Sequence, residues 1–567
     1  GVTAEDLNAA ALAGVTVNGA AVKLTGIANS LNLLDGSVSG SETVSFANAD
    51  LPSETFSAAG VTYNYVAMDY VLVGKDTKTL SDVTLTLDVT GTTSAATEYT
   101  YPNVPLQGNY RTNIVGNLFT SPADIDITVN SGFSTPDNDI VIKNVANIAD
   151  ANASLAAGAT SVKIAKVTAS EASTTTLTMP ATSESISIEI ESIESSANLQ
   201  IVAPGSGSNP ESVSVNIPST ATVENLTINL PQSHVEVNGA SYTNITATTS
   251  NNTLVIGKDA TVENLDIKAG SVEIYGTVTE LTKETSAGPV TYYVDDEAKL
   301  KKAFTIADRI VMEKDIDMVS SAIINGGRTL EIDLNGHNIS APSKVISIAN
   351  AKVDFTGKGK IYESTDDQFG ALLIAGSSED VSDYTVVNVG ENVTLAGWSG
   401  IFIAKDAAGG YKNYGIVVNC KGTLENPGMD THATSGDAIY INGSNINTTG
   451  NIPKINLDGC RLKSKGLGIY AAGYAEWTLS NCEVEGDITA IEIRAGKMTV
   501  NGGTYTSNAD PFAVEPNGNG TTTKGAALGI SQHTTNLPIE VVVNRGTFNG
   551  AYAIWEKDVQ NETARDQ

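Results

Sequence analysis

The sequence predicts an all-β protein in which an N-terminal β-sandwich precedes two β-solenoids. Three observations carry this expectation. Glycine is plentiful at 52 residues and aromatic residues make up only 6% of a chain rich in Ser, Thr, Asn and Val, the composition of many short strands between turns. Apolar and polar residues alternate at period two in stretches such as LSDVTLTLDVTG (80–91). Near-identical wording also returns along the chain, as in ATVENLTINLPQ (221–232) and ATVENLDIKAGS (260–271), which is how stacked coils read in sequence.

The 567 residues suffice for three or four domains without disulfide staples. The net charge of −31 repels phosphate backbones and anionic membrane surfaces, so nucleic acid is excluded as a partner. The sequence contains no stretch of about 20 apolar residues, the length needed to span a membrane. Cys420, Cys460 and Cys482 form neither a disulfide framework nor a zinc pattern. The opening GVTAEDL has no Met and no signal peptide, and reads as a processed or trimmed chain.

Residues 1–135 read as short strands between turns, with VTVNGAAVKL (15–24) a hairpin candidate around Asn18-Gly19 and GVTYNYVAMDYVLVG (60–74) a strand. The segment YPNVPLQGNYRTNIVGNLFTSPADIDITVNSGF (101–133) resembles the C-terminal end of fimbrillin-like domains on the surface of Gram-negative gut anaerobes. Asn109, Tyr110, Arg111, Thr112, Asn113, Ile114, Gly116, Asn117 and Leu118 carry the likeness, which covers about a quarter of the chain. It implies adhesion, an outer-membrane location and a lipid anchor on a cysteine outside this sequence.

At about residue 136 the texture changes. VANIADANASLAAGATSVKIAK (145–166) and VDDEAKLKKAFTIADRIVMEKDI (294–316) each pair a short amphipathic helix with an apolar strand. Ala149, Ala153, Leu155 and Ala156 form the expected apolar side of the first helix, and Leu300, Ala303 and Phe304 that of the second. Each reads as a plug for the open end of a solenoid, placing one solenoid at 136–288, a second at 289–557, and a tail at 558–567. INGGRTLEIDLNGHNIS (324–340), with its Asp333–His337 turn, resembles the first coil of pectate-lyase-like proteins, which implies a right-handed parallel β-helix for the second solenoid. That fold hosts enzymes and non-enzymes alike.

The second solenoid repeats one strand type as SGIFIA, DAIYIN, LGIYAA, TAIEIR, AALGIS and YAIWEK. Its central residues are Ile401, Ile439, Ile469, Ile491, Leu528 and Ile554, at spacings of 38, 30, 22, 37 and 26. The shortest spacing suits a tight coil, and the excess reads as loop insertion. Equivalent residues of successive coils then stack about 4.8 Å apart. The outward neighbours Phe402, Tyr440, Tyr470, Glu492, Gly529 and Trp555 would form a largely aromatic ladder, able either to stiffen the sheet or to stack on sugar rings. Trp398, Tyr411 and Tyr414 could extend it. Cys460 and Cys482 should lie one above the other as unpaired structural thiols, a strained bridge being the alternative.

Catalytic signals are sparse. Hydrolases of this architecture resemble one another in NTD, DD, GHG and RIK blocks, and none is present. Arg461, Arg494 and Arg545 lack a neighbouring aspartate cluster, Asp366-Asp367 reads as a solvated turn, and His337 serves its own turn. His432 and His533 fall in insertions. The sequons at Asn225, Asn244 and Asn251 read as ordinary strand residues. No catalytic residue, metal site or cofactor is assigned. The expected function is non-catalytic surface attachment through a glycan or protein ligand, with Phe402, Tyr440, Tyr470, Glu492 and Trp555 as binding residues. The alternatives are a polysaccharide lyase or glycoside hydrolase, and a pilus subunit that engages other fimbrial subunits.

Overall fold

The structure is a computed structural model. It describes residues 2–12, 14–31, 38–48, 55–58, 61–73, 78–91, 98–107, 110–116, 118, 125–131, 142–169, 175–365, 369–404, 412–428, 436–516 and 520–557. The described residues are almost entirely β, with antiparallel sheets first and long parallel ladders after them. Two compact units are formed, residues 1–272 with 276–288 and residues 273–275 with 289–567.

The first unit opens with a sandwich. One layer is a four-stranded antiparallel sheet in the order Glu42–Asn48, Thr16–Ile27, Lys78–Thr90, Glu98–Leu106. The other holds the antiparallel pairs Tyr110–Gly116 with Ile125–Ser131 and Thr55–Ala58 with Val61–Asn64, bridged by Val2. Leu24, Leu80, Val83 and Val104 meet Val2 and Leu118 between the layers. An unanticipated helix, Ala4–Leu12, is anchored by buried Asp6, whose Oδ2 accepts the Leu118 N–H at 2.6 Å.

Asn18-Gly19 is not a hairpin turn. Thr16–Ile27 is one strand whose register slips between Val17 and Gly19, so Asn18 is a bulge. A type I′ turn needs positive φ at both central residues, and neither residue has it. Among the described residues of the 60–74 stretch only Val61–Asn64 pairs as a strand; Val66, Val71 and Val73 pack on the core without a ladder.

The rest of the first unit is a two-walled solenoid. One wall stacks Leu199, Leu226, Ile245 and Leu265 in register; the other stacks Val213, Val235 and Leu254. The inward residues of both walls are fully buried, so they share one apolar core. The two ATVENL segments lie two coils apart, with Ser241–Ala247 between them. Beside the core runs an asparagine ladder of Asn198, Asn225, Asn244 and Asn264, each amide donating to the Oδ1 of the one before at 2.5–3.2 Å. Two of the sequon asparagines, Asn225 and Asn244, are therefore rungs of this ladder.

The second unit is a three-walled parallel β-helix. A nine-stranded wall runs from Ala322–Ile324 to Tyr552–Lys557. One coil is contained in residues 489–507 as the strands Thr489–Ile493 and Gly496–Ser507, the latter bending midway. At the corner preceding the third wall, three successive coils place a left-handed residue, Gly459 (φ 67°), Asn481 (φ 54°) and Gly502 (φ 126°). The six central residues from Ile401 to Ile554 pair in unbroken register.

Helices form at both anticipated places. Glu297–Ile306 buries Leu300, Ala303 and Phe304 as expected. Ile148–Ala156 buries Ile148, Ala151 and Leu155, whereas Ala149, Ala153 and Ala156 are exposed. The N-cap decides this phase. Asn147 accepts from the Ala149 and Asp150 N–H groups, which starts the helix at Ile148 and turns that residue inward.

Candidate functional site

The outer face of the nine-stranded wall gathers most of the unusual chemistry of the second unit. Strands Ser399–Ile403, Asp437–Ile441, Leu467–Ala471, Thr489–Ile493, Ala526–Ser531 and Tyr552–Lys557 bring Phe402, Tyr440, Tyr470, Glu492, Gly529 and Trp555 into register. The second residue of each strand is small (Gly400, Ala438, Gly468, Ala490, Ala527 and Ala553) because that position packs tightly against neighbouring backbone. A Cβ on Gly468 would lie 2.4 Å from Val484 Cγ1 and 2.5 Å from the Ala490 carbonyl.

The ladder divides into three parts. Phe402 stacks on Tyr440 with ring centroids 4.6 Å apart and planes 17° apart, and Tyr440 stacks on Tyr470 at 5.0 Å and 19°. The Arg494 guanidinium then lies 4.9 Å from the Tyr470 ring centre, continuing the stack as a cation–π contact. Beyond Gly529, Trp555 packs edgewise with Phe512 and Tyr552 and is separate from the other rings.

These side chains point outward yet are mostly covered. Phe402 is 9% exposed, Tyr470 8% and Glu492 0%; Tyr440 is half-buried. The cover over Glu492 is an antiparallel hairpin, Ala513–Pro516 with Thr521–Lys524, which lies within the 37-residue spacing from Ile491 to Leu528. Gly529 admits it, since a Cβ there would sit 1.8 Å from Thr523 Oγ1.

Glu492 and Arg494 form a fully buried ion pair. Arg494 Nε donates to Glu492 Oε1 at 2.7 Å and Nη2 lies 2.6 Å from the same oxygen. Glu492 Oε2 accepts from the Thr523 N–H at 2.9 Å, while Arg494 Nη2 donates to Thr522 Oγ1 at 3.0 Å. Both carboxylate oxygens therefore serve the pair and the hairpin. Burial pushes the Glu492 carboxyl pKa up, opposed chiefly by Arg494.

A second carboxyl shares this environment. Asp437 is 3% exposed, and its Oδ1 accepts the Leu467 N–H at 3.1 Å. Burial drives its pKa well above the ordinary aspartate range, and the Glu492 charge adds to the rise. Tyr440 is pushed up to about 12 by burial and then by Asp437. His533, 7% exposed, accepts the Thr535 N–H at Nδ1 (3.1 Å) and donates its own backbone N–H to the Arg494 carbonyl (3.1 Å). Burial and the Arg494 charge lower its pKa. Glu492, expected as an outward rung of the ladder, thus shares its surroundings with Asp437 and Arg494, and His533 lies beside Arg494.

The accessible end of the stack lies at the other pole. Trp398 is half-buried against Phe402 and Tyr440, with centroids 6.0 and 5.6 Å away, and its Nε1 has no hydrogen-bond partner among the described residues. Phe369 packs edgewise on Phe402 at 5.7 Å, with Lys344 Nζ 4.9 Å from its ring centre. These groups make a partly open aromatic shelf.

Other candidates stay apart from this face. Arg461 pairs with Glu483, Arg545 Nε donates to the Asn501 carbonyl, and His337 lies 3.4 Å from Asp315 in its turn. Tyr414 has Lys412 over its ring. Tyr411, His432, Asp366 and Asp367 lie outside the described residues. Cys420, Cys460 and Cys482 are free and buried, and the Cys460 thiol donates to the Cys420 carbonyl at 2.7 Å. Hydrogen bonding to Cys420 pushes the Cys460 thiol pKa up, and hydrogen bonding to Cys460 does the same to Cys482, each reinforced by burial; both thiols are held protonated.

Phe369, Phe512, Asp437 and the hairpin are absent from the sequence reading. Two signals pointed to the hairpin, the long gap after Ile491 and a glycine interrupting a ladder of large residues. Residues 1–180 match a family of unknown function (DUF6562). No curated protein and no solved structure matches the chain.

Proposed function

We propose that this chain is a non-catalytic cell-surface attachment protein that engages a glycan through the shelf formed by Trp398, Tyr440, Phe402 and Phe369. The observation that carries this reading is the partly open stack of rings, in which Trp398, Tyr440 and Phe369 are each only half-buried. Flat ring faces of this kind stack on sugar rings. The fimbrillin resemblance of residues 101–133 supports an outer-membrane location through a lipid anchor outside this sequence. Tyr470, Glu492 and Trp555 move from the binding set to a supporting one, because Arg494, the hairpin and Phe512 occupy their outer sides.

The test is a glycan array followed by incubation of each hit with the protein. Binding without new reducing ends or unsaturated products is expected, and Trp398→Ala or Tyr440→Ala should weaken it about tenfold or more, as loss of a central aromatic anchor does. Turnover of a hit, or unchanged affinity in both variants, counts against the reading. A polysaccharide-cleaving activity is the second reading, favoured by two carboxyls of raised pKa on one wall, Asp437 and Glu492. It requires substrate to displace the hairpin, and Glu492→Gln would then abolish turnover while sparing binding.

A further inference from the structure

The N-terminal sandwich contains an open cavity of about 520 Å³, within the span of small-molecule sites. Val22, Leu24, Val83 and Leu85 of the four-stranded sheet form one apolar wall, and Val71 and Val73 line it from the segment without strand pairing. Polar groups break this lining: Asp69, Gln107, and Arg111, Thr112 and Asn113 of strand Tyr110–Gly116. Arg111 and Asn113 are two residues apart and so share one face of the strand. Arg111 is exposed and pairs with no carboxylate among the described residues, although acidic residues outnumber basic ones 64 to 33. Its Nη1 donates weakly to the Tyr65 hydroxyl at 3.4 Å, and its guanidinium lies 5.9 Å from the Phe56 ring centre. Asn113 is 4% exposed, and its Nδ2 has no hydrogen-bond partner among the described residues. A buried amide donor without an acceptor is costly, and here it borders a cavity that can hold one.

We infer that the cavity is a binding site for a single-chain carboxylate amphiphile, a free fatty acid. The acyl chain lies against the valine and leucine walls, and the carboxylate, which only accepts, takes hydrogen bonds from Arg111 and from Asn113 Nδ2. An unpaired guanidinium and an unmet amide donor at an apolar cavity complement a carboxylate headgroup more closely than a neutral one. The site is independent of the glycan shelf, so either reading can fail alone.

Calorimetric titration of the full chain with decanoate tests this. Saturable one-to-one binding is expected. Arg111→Gln, at an exposed position, should weaken decanoate about tenfold or more and leave decanol binding unchanged. Leu85→Trp, which fills the cavity from a half-buried position, should abolish both, with circular dichroism confirming that the variant folds. Absence of saturable binding to the unaltered chain overturns the proposal, as does equal decanoate affinity in Arg111→Gln. It is also overturned if the chain self-associates on concentration and decanoate neither binds nor dissociates it, because a second copy then fills the cavity.

Discussion

Glu492 takes its chemistry from the rungs around it. On an isolated strand it would be a solvated carboxylate; between Tyr470, Arg494 and Thr523 it is a fully buried anchor. Asp437 is the more costly residue, since its carboxyl is buried and receives one backbone N–H with no direct counter-ion contact at bonding distance among the described residues. Its raised pKa means that the folded chain keeps a proton which the unfolded chain releases above about pH 4. The contribution of Asp437 to stability is therefore fully present below that pH and is lost as pH rises toward its folded pKa. Asp437→Asn retains the acceptor for the Leu467 N–H and removes the titration. It is expected to raise Tm at pH 7.5 by a few degrees, with the gain vanishing at pH 4. Thermal unfolding of both proteins at both pH values measures this, and an equal Tm at pH 7.5 refutes it.

Elements in this chain are secured at their ends by polar side chains. Helix Ile148–Ala156 does more than cover an apolar core. Asn152 donates to the Thr176 carbonyl at 2.9 Å and accepts the Thr178 N–H at 2.8 Å, so one amide satisfies backbone groups of strand Thr175–Thr178. In the other cap, Lys299 Nζ reaches the Tyr275 carbonyl and Glu297 accepts the Val319 N–H. The hairpin Ala513–Lys524 is held in the same manner by Glu492 and Arg494. Removing one partner of a buried pair costs about 3–5 kcal/mol because the remaining charge stays buried. Glu492→Ala should therefore loosen the hairpin and accelerate tryptic cleavage after Lys524 at least tenfold, followed by mass spectrometry. An unchanged cleavage rate would show that apolar contacts alone hold it.

On the scale of whole units, stability is distributed coil by coil. Each coil of the second unit contacts the coils directly before and after it, and the nine-stranded wall accumulates about 38 Å from repeats of about 4.8 Å. A whole coil can then be removed without rebuilding a core. Deleting residues 470–491 joins Ile469 to Glu492 at equivalent positions and returns all three walls to register. The shortened chain is expected to fold with an unchanged β-type circular dichroism spectrum. Deleting only residues 470–480 breaks register on every wall and should yield an aggregating chain. Equal behaviour of the two deletions would contradict a coil-by-coil architecture.

Local periodicity was sufficient to establish the all-β class, the two helices and the alignment of six coils, since alternation and spacing are properties of adjacent residues. Ile401 to Ile554 and Phe402 to Trp555 could be paired because every coil repeats the same small–apolar–outward order. What lies over a strand is set by residues far away in sequence. For that reason Glu492 read as a possible exposed carboxylate, the helix at 148–156 was phased one residue off, and Asn18-Gly19 read as a turn. Only the tertiary structure folded the insertion between Ile491 and Leu528 back over the ladder, placed Asp437 and His533 beside Arg494, and left Trp398 with Tyr440 as the accessible end of the stack. Burial belongs to the assembled wall and its loops, so no single strand of this sequence encodes it.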